Sequence, residues 1–372
     1  DMLRCAHWHA PALLTANLLD ARIERTLLNG RTPGNTTFRH NNVALLGIAE
    51  TTAPNPVSSE SFDEQLASTL KRLHLPQGLL QRVAGVDYRR NWDNPHDFIS
   101  GAVDAGKKAL ERAQVDADQI GVMINTSVTR ETLEPSVAVS IHHGIGLPTS
   151  AMNFDIANAC LGFVNGMTVV ATMIDSGQID YGLVVAGEDA SRVQQATLKR
   201  LSQNDITREE YLNEFASLTL GSGAAAAVLG PADRHPEGHQ VLGGVTRAGT
   251  WNHELCVGDH NGMFTDATGL LTNGMELVIN AWNEAHEDGW DWNDMAMYVT
   301  HQVSKIHTNE MAKTASLDLD RMPVTFPELG NVGPASLPIT LARNADSLKS
   351  GDRILAMGVG SGLNTAMTEI VW

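Results

Sequence analysis

A cysteine at a strand-to-helix junction is the residue in this sequence best suited to chemistry. Cys160 lies between the β-rich run Met152–Ile156 and an apolar stretch from Leu161 to Ile174. Because that stretch is apolar almost all the way round, it predicts a helix buried at the centre of the fold. The unpaired N–H groups and the dipole at the start of such a helix favour a thiolate. We therefore expect a lowered pKa and a nucleophile at Cys160.

Two polar residues in the second half of the chain are candidate partners for a thiolate. His301 ends the run Ala296–Thr300, and catalytic side chains emerge from open α/β sheets at such strand ends. Asn331 lies in the glycine-punctuated segment Leu329–Ser336, where Pro334 fits the first turn of a helix. Together the two side chains can donate hydrogen bonds to one developing oxyanion. Each alone is also typical of a structural role, a packed histidine or a turn.

Other reactive-looking residues do not form a second site. The glycine-rich segment Gly358–Asn364 lacks the lysine of a phosphate loop, so it predicts close backbone approach rather than nucleotide binding. No spacing of His, Cys and Asp predicts a metal ion, and we expect no cofactor. Cys5 and Cys256 lie in stretches without a comparable setting, so we assign them no role.

An alternation of β-rich runs and helical patterns must position these residues, which is typical of a layered α/β fold. The predicted strands are Val43–Ile48, Ile120–Ser127, Ala151–Ile156, Tyr181–Ala186, Ala224–Leu229, Gln240–Thr246, Met295–His301, Pro323–Phe326, Arg353–Gly358 and Thr365–Val371. The predicted helices are Asp63–Leu73, Ile99–Ala113, Val137–His143, Leu161–Ser176, Gly269–Ala285, Thr308–Leu317 and Pro334–Ala345.

The order of these elements repeats, which indicates a duplicated α/β unit. Residues 41–235 form the first half, with the cysteine and an acidic, helix-forming insertion at Thr197–Ser217, and residues 236–372 form the second half, with His301 and Asn331. Residues 1–40 are predicted to be an N-terminal extension without a catalytic part. A helix that binds a partner or a membrane surface is the alternative for that extension.

Composition excludes several classes of protein. The 372 residues are 42% hydrophobic and 19% charged, which excludes a disordered or collagen-like chain. Acidic residues outnumber basic ones, 43 to 26, so nucleic acid is not an expected partner. No run approaches the ~20 apolar residues of a membrane span. Three cysteines, odd in number and far apart, fit a reducing cytoplasm.

Four motifs, in order along the chain, resemble those of thiolase-superfamily condensing enzymes, and in particular the ketoacyl-synthase III branch. They are Asn158-Ala-Cys160-Leu-Gly-Phe163, Thr300-His-Gln-Val-Ser304, Gly330-Asn-Val-Gly-Pro-Ala-Ser336 and Gly358-Val-Gly-Ser-Gly-Leu-Asn364. Within that branch, the segment Asn125–Ser136 is similar to that of OleA-type enzymes. Those enzymes join two long-chain fatty acyl-CoA molecules head to head in olefinic hydrocarbon biosynthesis.

The resemblance implies a duplicated thiolase fold with five layers, α-β-α-β-α, in a homodimer. It also implies that Cys160 accepts the first acyl group from CoA while the backbone at Cys160, Gly360 and Ser361 holds the oxyanion. His301 and Asn331 would stabilise the enolate of the second acyl-CoA, and a Claisen condensation without decarboxylation would give a β-keto acid. Coenzyme A thioesters are then substrates and no cofactor is needed.

The resemblance assigns roles to four further residues. Glu134 matches a carboxylate that crosses into the partner subunit and removes the α-proton, and an apolar tunnel would raise the pKa of that carboxylate. Without the resemblance, Glu134 followed by proline is typical of a turn. Arg89 and Arg90 resemble basic residues at a CoA entrance, and Phe163 is a candidate substrate contact. Enzymes later in the pathway are possible partners.

Two rival functions remain. The chain is alternatively a ketoacyl-ACP synthase III that uses an acyl-CoA and malonyl-ACP, although the net charge of −17 disfavours docking of an acidic carrier protein. A non-catalytic acyl-binding subunit is the rival from another class, and the presence of Cys160, His301 and Asn331 disfavours it.

Overall fold

The computed structural model describes residues 36–372, so the predicted extension lies almost entirely outside the described residues. The strands are β1 (Thr36–Arg39), β2 (Ala44–Thr52), β3 (Asn55–Ser58), β4 (Tyr88–Asn91), β5 (Ile120–Asn125), β6 (Met152–Asp155), β7 (Tyr181–Glu188), β8 (Gly223–Gly230), β9 (His239–Ala248), β10 (Cys256–Asp259), β11 (Gly262–Thr265), β12 (Met297–Thr300), β13 (Arg353–Gly360) and β14 (Asn364–Val371).

The α-helices connect these strands, and short 3₁₀ turns precede several of them. They are α1 (Ser59–Gln65), α2 (Ala67–Arg72), α3 (Asp97–Ala113), α4 (Val137–Ile145), α5 (Gly162–Asp175), α6 (Ser191–Leu201), α7 (Arg208–Glu214), α8 (Ala267–Glu287), α9 (Lys305–Ala315), α10 (Phe326–Leu329) and α11 (Ser336–Asn344). None of the described helices is long and apolar enough to cross a membrane.

Ten strands form one mixed sheet that consists of two half-sheets. Its order is β12-β13-β14-β9-β2-β8-β7-β5-β6, and β1 pairs with β9. The strands that carry the site run in parallel pairs, β5 with β6 and β7, and β12 with β13. The half-sheets join where β2 pairs with β9 through only two residue pairs, Ala44 with Gln240 and Leu45 with His239. Because this junction is short, the two half-sheets can lie in different layers, with helices packed between them.

Alternation of side chains along the strands produces the layers, because successive residues point to opposite faces. In β5, Val122 and Ile124 join a central core with α5 and α11, whereas Met123 packs against α3 and α4. In β13, Ile354 joins the same central core, whereas Leu355 packs with α8 and α9. The outer helices, two half-sheets and central helices give five layers, so the predicted fold class is confirmed.

Some predicted elements are wrong. Pro323–Phe326 is not a strand; the chain there enters the short helix α10, with Pro327 in its first turn, where the missing N–H costs nothing. The helix predicted over Asp63–Leu73 is two helices that meet at Leu66. The antiparallel β3–β4 pair and the β10–β11 hairpin were not predicted, because none of their four-residue strands lies in a longer β-rich apolar run.

Candidate active site

Cys160 lies in a tight turn between β6 and α5. The turn is a 3₁₀ segment, Ala159–Leu161, and the helix begins at Gly162. Ala159 has a φ of +44°, a left-handed conformation that residues other than glycine seldom adopt. Strained backbone of this kind is concentrated at functional sites. The predicted strand-to-helix junction is therefore present, and its local strain supports a functional role for the turn.

The protonation of Cys160 differs from the expectation. Burial, with smaller contributions from Cys256 and Glu188, raises the pKa of the Cys160 thiol to about 12. The prediction of a lowered pKa is wrong, because loss of hydration outweighs the stabilisation of a thiolate at the start of a helix. The residue rests as an uncharged thiol.

Two glycines of β13 bring Cys160 and His301 to the same place. A methyl group on Gly358 would lie 2.9 Å from His301 Cβ, and one on Gly360 would lie 3.5 Å from the Cys160 backbone nitrogen. Alternate residues of a strand point to the same face and lie about 7 Å apart. His301 and the Cys160 turn are therefore neighbours on one face of β13, and Leu161 packs against both glycines.

His301 follows the last residue of β12 and is 3% exposed. Its backbone N–H donates to the Met357 carbonyl oxygen at 3.0 Å, which ties it to β13. Burial lowers the pKa of His301 to about 3, and His307 contributes a smaller effect. The imidazole is therefore neutral at physiological pH, and its Nδ1 atom is buried without a hydrogen-bond partner.

Asn331 lies in a loop that the backbone fixes on both sides. Its N–H donates to the Thr219 carbonyl oxygen at 2.8 Å, and its own carbonyl oxygen accepts from Gly221 N–H at 2.9 Å. The side-chain Oδ1 accepts from Gly333 N–H at 2.9 Å. Because Oδ1 is occupied, the Nδ2 amide group is the part of Asn331 that can donate to a substrate oxygen.

The Asn331 loop reaches the cysteine through the next turn. The 3₁₀ turn Gly333–Ala335 contacts the Ala159–Leu161 turn. Asn364 of β14 donates from Nδ2 to Asn158 Oδ1 at 3.1 Å, which ties the C-terminal glycine loop to the residues before Cys160. The structure thus brings the cysteine, histidine, asparagine and glycine-loop motifs into one region.

Sequence reasoning missed Glu188, at the end of β7. The side chain is 6% exposed, and its carboxylate accepts from Val128 N–H at 2.6 Å and from the Thr129 N–H and hydroxyl at 3.1 and 2.6 Å. Burial raises the pKa of Glu188 to about 7 against these hydrogen bonds. The only signal in the sequence is a carboxylate directly after a β-rich run.

Cys256, to which the sequence analysis assigns no role, is the other described free cysteine. It begins β10, and its Sγ lies 3.7 Å from Thr265 Oγ1. Its electrostatic effect on Cys160 places it in the surroundings of that thiol. The sequence separation of the two cysteines gave no sign of this proximity.

Glu134 lies on the loop between β5 and α4, and its side chain is exposed. The apolar tunnel expected around this carboxylate is therefore not formed by the described residues of one chain. Neighbouring Leu133 is 103% exposed, and Thr132 Oγ1 donates to the Pro135 carbonyl oxygen at 2.9 Å. The loop has a compact tip that presents Leu133 and Glu134 to the outside.

Arg89 does not fit the predicted CoA entrance. It is 0% exposed, donates to Ser59 Oγ at 2.7 Å and lies 4.5 Å from the ring centre of Phe62. Burial lowers the pKa of Arg89 to about 10, partly offset by Asp63. The assignment of Arg89 to a CoA entrance is thus wrong, because a fully buried guanidinium cannot meet CoA there, and the partly exposed Arg90 is the candidate that remains.

Phe163 and Ser361 complete the predicted set. Phe163, in the first turn of α5, is buried in the central core, so its place as a substrate contact is not apparent in this conformation. Ser361 follows the end of β13 and is partly exposed, directly after the Gly360 that packs against the Cys160 turn.

Comparisons with known proteins match nearly the whole described chain. Residues 154–248 match the family described as 3-oxoacyl-[acyl-carrier-protein] synthase III, and residues 285–372 match its C-terminal part. The acyl-CoA:acyl-CoA alkyltransferase of Xanthomonas campestris is 42% identical over 334 residues, which cover 89% of this chain and 99% of that protein. The Shewanella oneidensis protein of the same name is 31% identical over 351 residues, 90% of this chain and 100% of that protein.

A solved structure agrees with these relatives. A cysteine-to-serine variant of Xanthomonas campestris OleA with bound lauric acid and lauroyl-CoA has a TM-score of 0.87 and 41% identity, and the match covers 90% of this chain and 100% of that chain. Proteins named beta-ketoacyl-[acyl-carrier-protein] synthase III are less similar, at 21% to 30% identity.

Proposed function

The chain belongs to the OleA family of acyl-CoA:acyl-CoA alkyltransferases, and we propose that it joins two long-chain fatty acyl-CoA molecules head to head. The reaction is a Claisen condensation without decarboxylation, and its product is a β-keto acid for olefinic hydrocarbon biosynthesis. The observation that carries this proposal at the level of residues is β13, whose two glycines contact His301 and the Cys160 turn on one face.

In the first half-reaction, Cys160 attacks the thioester carbonyl of one acyl-CoA. The sulfur–carbonyl bond forms, the bond to CoA breaks, and the thiol proton leaves with CoA as its free thiol. Because Cys160 rests uncharged, this proton must be transferred during the attack, and the neutral His301 imidazole is the adjacent group able to accept and return it. Backbone N–H groups at Cys160 and Ser361 hold the oxyanion.

In the second half-reaction, the carbonyl oxygen of another acyl-CoA accepts hydrogen bonds from His301 and Asn331 Nδ2. Glu134 removes the α-proton, and these two donors stabilise the enolate. The α-carbon attacks the acyl-cysteine carbonyl, a carbon–carbon bond forms and the carbon–sulfur bond breaks. The Cys160 sulfur then regains the proton that Glu134 removed. Hydrolysis of the remaining thioester by water gives the β-keto acid and CoA. No step requires a cofactor.

Glu134 acts on the site of a second copy of the chain in this proposal. Several apolar side chains around its loop are exposed, and a homodimer would cover them; they are Val128, Leu133, Val139 and Met152. The partner then supplies the apolar surroundings that one chain lacks. Both described cysteines are free thiols, which supports a cytoplasmic location, where acyl-CoA is present. An enzyme that consumes the β-keto acid is the expected pathway partner.

The decisive test is incubation with myristoyl-CoA as the only substrate. We expect free CoA, a transient acyl mass on the peptide that contains Cys160, and a ketone with one carbon fewer than two acyl chains, formed as the β-keto acid loses CO₂. Cys160→Ser should abolish all three, whereas the matched control Cys256→Ser should retain them.

Two results would replace the proposal by a rival. Product formation only after addition of malonyl-ACP would assign the chain to the ketoacyl-ACP synthase III reaction, which two matching family models name. Absence of both CoA release and acylation of Cys160 would indicate a non-catalytic acyl-binding protein.

A further inference from the structure

Glu188 lies where three parts of the candidate site meet. Its carboxylate is bonded to Val128 and Thr129, at the start of the loop that carries Glu134. On another side, a methyl group on Gly333 would lie 3.6 Å from Glu188 Cγ and Cδ, which places Glu188 against the Asn331 loop. Its charge also raises the pKa of the Cys160 thiol. None of the proposed catalytic roles uses Glu188.

The surroundings of Glu188 hold a carboxylate but do not cancel its charge. Two backbone N–H groups and a hydroxyl bind it, whereas the guanidinium of Arg130 donates to the Ser127 carbonyl oxygen instead. The titratable groups around Glu188 are Arg130 on the loop, Cys160 on the turn and the next residue, Asp189. The Asp189 carboxylate accepts from the Ser191 hydroxyl. The hydrogen bonds that hold the carboxylate of Glu188 therefore come from the start of the loop that carries Glu134.

We propose that Glu188 is a positioning residue for the condensation, because it holds the start of the Glu134 loop next to the Asn331 loop. This inference rests on the proposed roles of Glu134 and Asn331, which act in the condensation and not in the acylation of Cys160. Loss of Glu188 should therefore slow the second half-reaction and leave the first largely intact.

Two substitutions separate the charge from the hydrogen bonds. Glu188→Gln removes the charge and replaces one oxygen by an NH₂ group, which cannot accept from Val128 or Thr129. Glu188→Asp keeps the charge but shortens the side chain. Glu131→Gln is the matched control, since Glu131 lies on the same loop and pairs with His96 and Arg192 rather than with Val128 or Thr129.

The first measurement is alkylation of Cys160 by iodoacetamide at pH 9 in the substrate-free protein, which reports whether the surroundings of Cys160 are unchanged. We expect Glu188→Asp and Glu131→Gln to react at about the wild-type rate. A much faster reaction of Glu188→Asp would mean that the site has merely opened, and would overturn a role that is confined to the Glu134 loop.

The second measurement splits the reaction with myristoyl-CoA. We expect Glu188→Gln to release CoA in the first turnover at a rate within about threefold of wild type. Ketone formation should be at least about tenfold slower, because the base Glu134 would be displaced. An equal loss in both steps would overturn the positioning role. If wild-type protein forms no ketone, the proposed function fails; if wild type forms ketone and Glu188→Gln forms it equally fast, only the role of Glu188 fails. Thr129→Val changes no charge and removes the hydroxyl that donates to Glu188 and accepts from Asp189 N–H. This variant should slow ketone formation, and an unchanged rate of ketone formation would contradict the positioning role.

Discussion

Replacement of Gly358 by alanine tests whether β13 sets the position of His301. The added methyl group would lie 2.9 Å from His301 Cβ and 3.4 Å from Leu161 Cδ2. Carbon atoms in contact prefer about 3.5 to 4.0 Å, so His301 must move by roughly 0.6 to 1 Å. Overpacking of this kind costs about 1 to 3 kcal/mol. For a unit of about 340 residues, that lowers Tm by only about 1.5 to 4 °C.

The expected effect on catalysis is much larger than the effect on stability. A shift of about 1 Å in a catalytic group costs on the order of 100-fold. We therefore expect Gly358→Ala to form ketone about 100-fold more slowly than wild type, measured by mass spectrometry, while its thermal transition stays within a few degrees.

Gly274→Ala is the matched control for this experiment. Gly274 lies in α8 and packs against Val359, the residue between the two site glycines, on the opposite face of β13. A methyl group there would be 3.4 Å from Val359, an ordinary contact. Wild-type ketone formation is expected for Gly274→Ala. Wild-type ketone formation by Gly358→Ala itself would refute the argument that β13 positions a catalytic histidine.

Three further predictions concern the individual groups of the site. Asn331→Asp keeps the acceptor for Gly333 N–H but loses the Nδ2 donor. Condensation should therefore slow by about 100-fold or more, while CoA release in the first turnover persists. An equal loss in both steps would contradict the role of Asn331 as a donor to the enolate. Because burial raises the pKa of Cys160 to about 12, its alkylation rate should still rise about tenfold per pH unit from pH 7 to 10, and a plateau near pH 7 would show a stabilised thiolate. Glu134→Gln should acylate normally but form no ketone, and a ketone yield equal to that of wild type would exclude Glu134 as the base.

The sequence predicts the parts of the fold that local pattern controls. Long apolar runs such as Tyr181–Glu188, and the helix after Cys160, are recognisable because their periodicity extends over several turns or residue pairs. The strands of the β3–β4 pair and of the β10–β11 hairpin do not lie in such a run. Pro323–Phe326 has the composition of a strand, but Pro327 and the tight loop before Asn331 favour a helical turn.

The motifs also predict which residues come together, because polar residues at the carboxyl ends of parallel strands meet at one edge of a sheet. Their ionisation is not predictable in this way. The pKa of Cys160 depends on how completely distant segments bury it, and Arg89 is buried through contacts with α1 that no local pattern reveals. Glu188 is likewise identifiable only when Val128, Thr129 and Gly333 are placed around it.

The uncharged resting state of Cys160 and His301 has a consequence for the protein under oxidative stress. Peroxide reacts with a thiolate, not with a thiol, and converts it to sulfenic and then to irreversible sulfinic acid. A cysteine whose pKa is about 12 therefore withstands peroxide at neutral pH far better than the activated thiolates of cysteine proteases. The same burial that makes proton transfer necessary at each turnover thus preserves the idle enzyme.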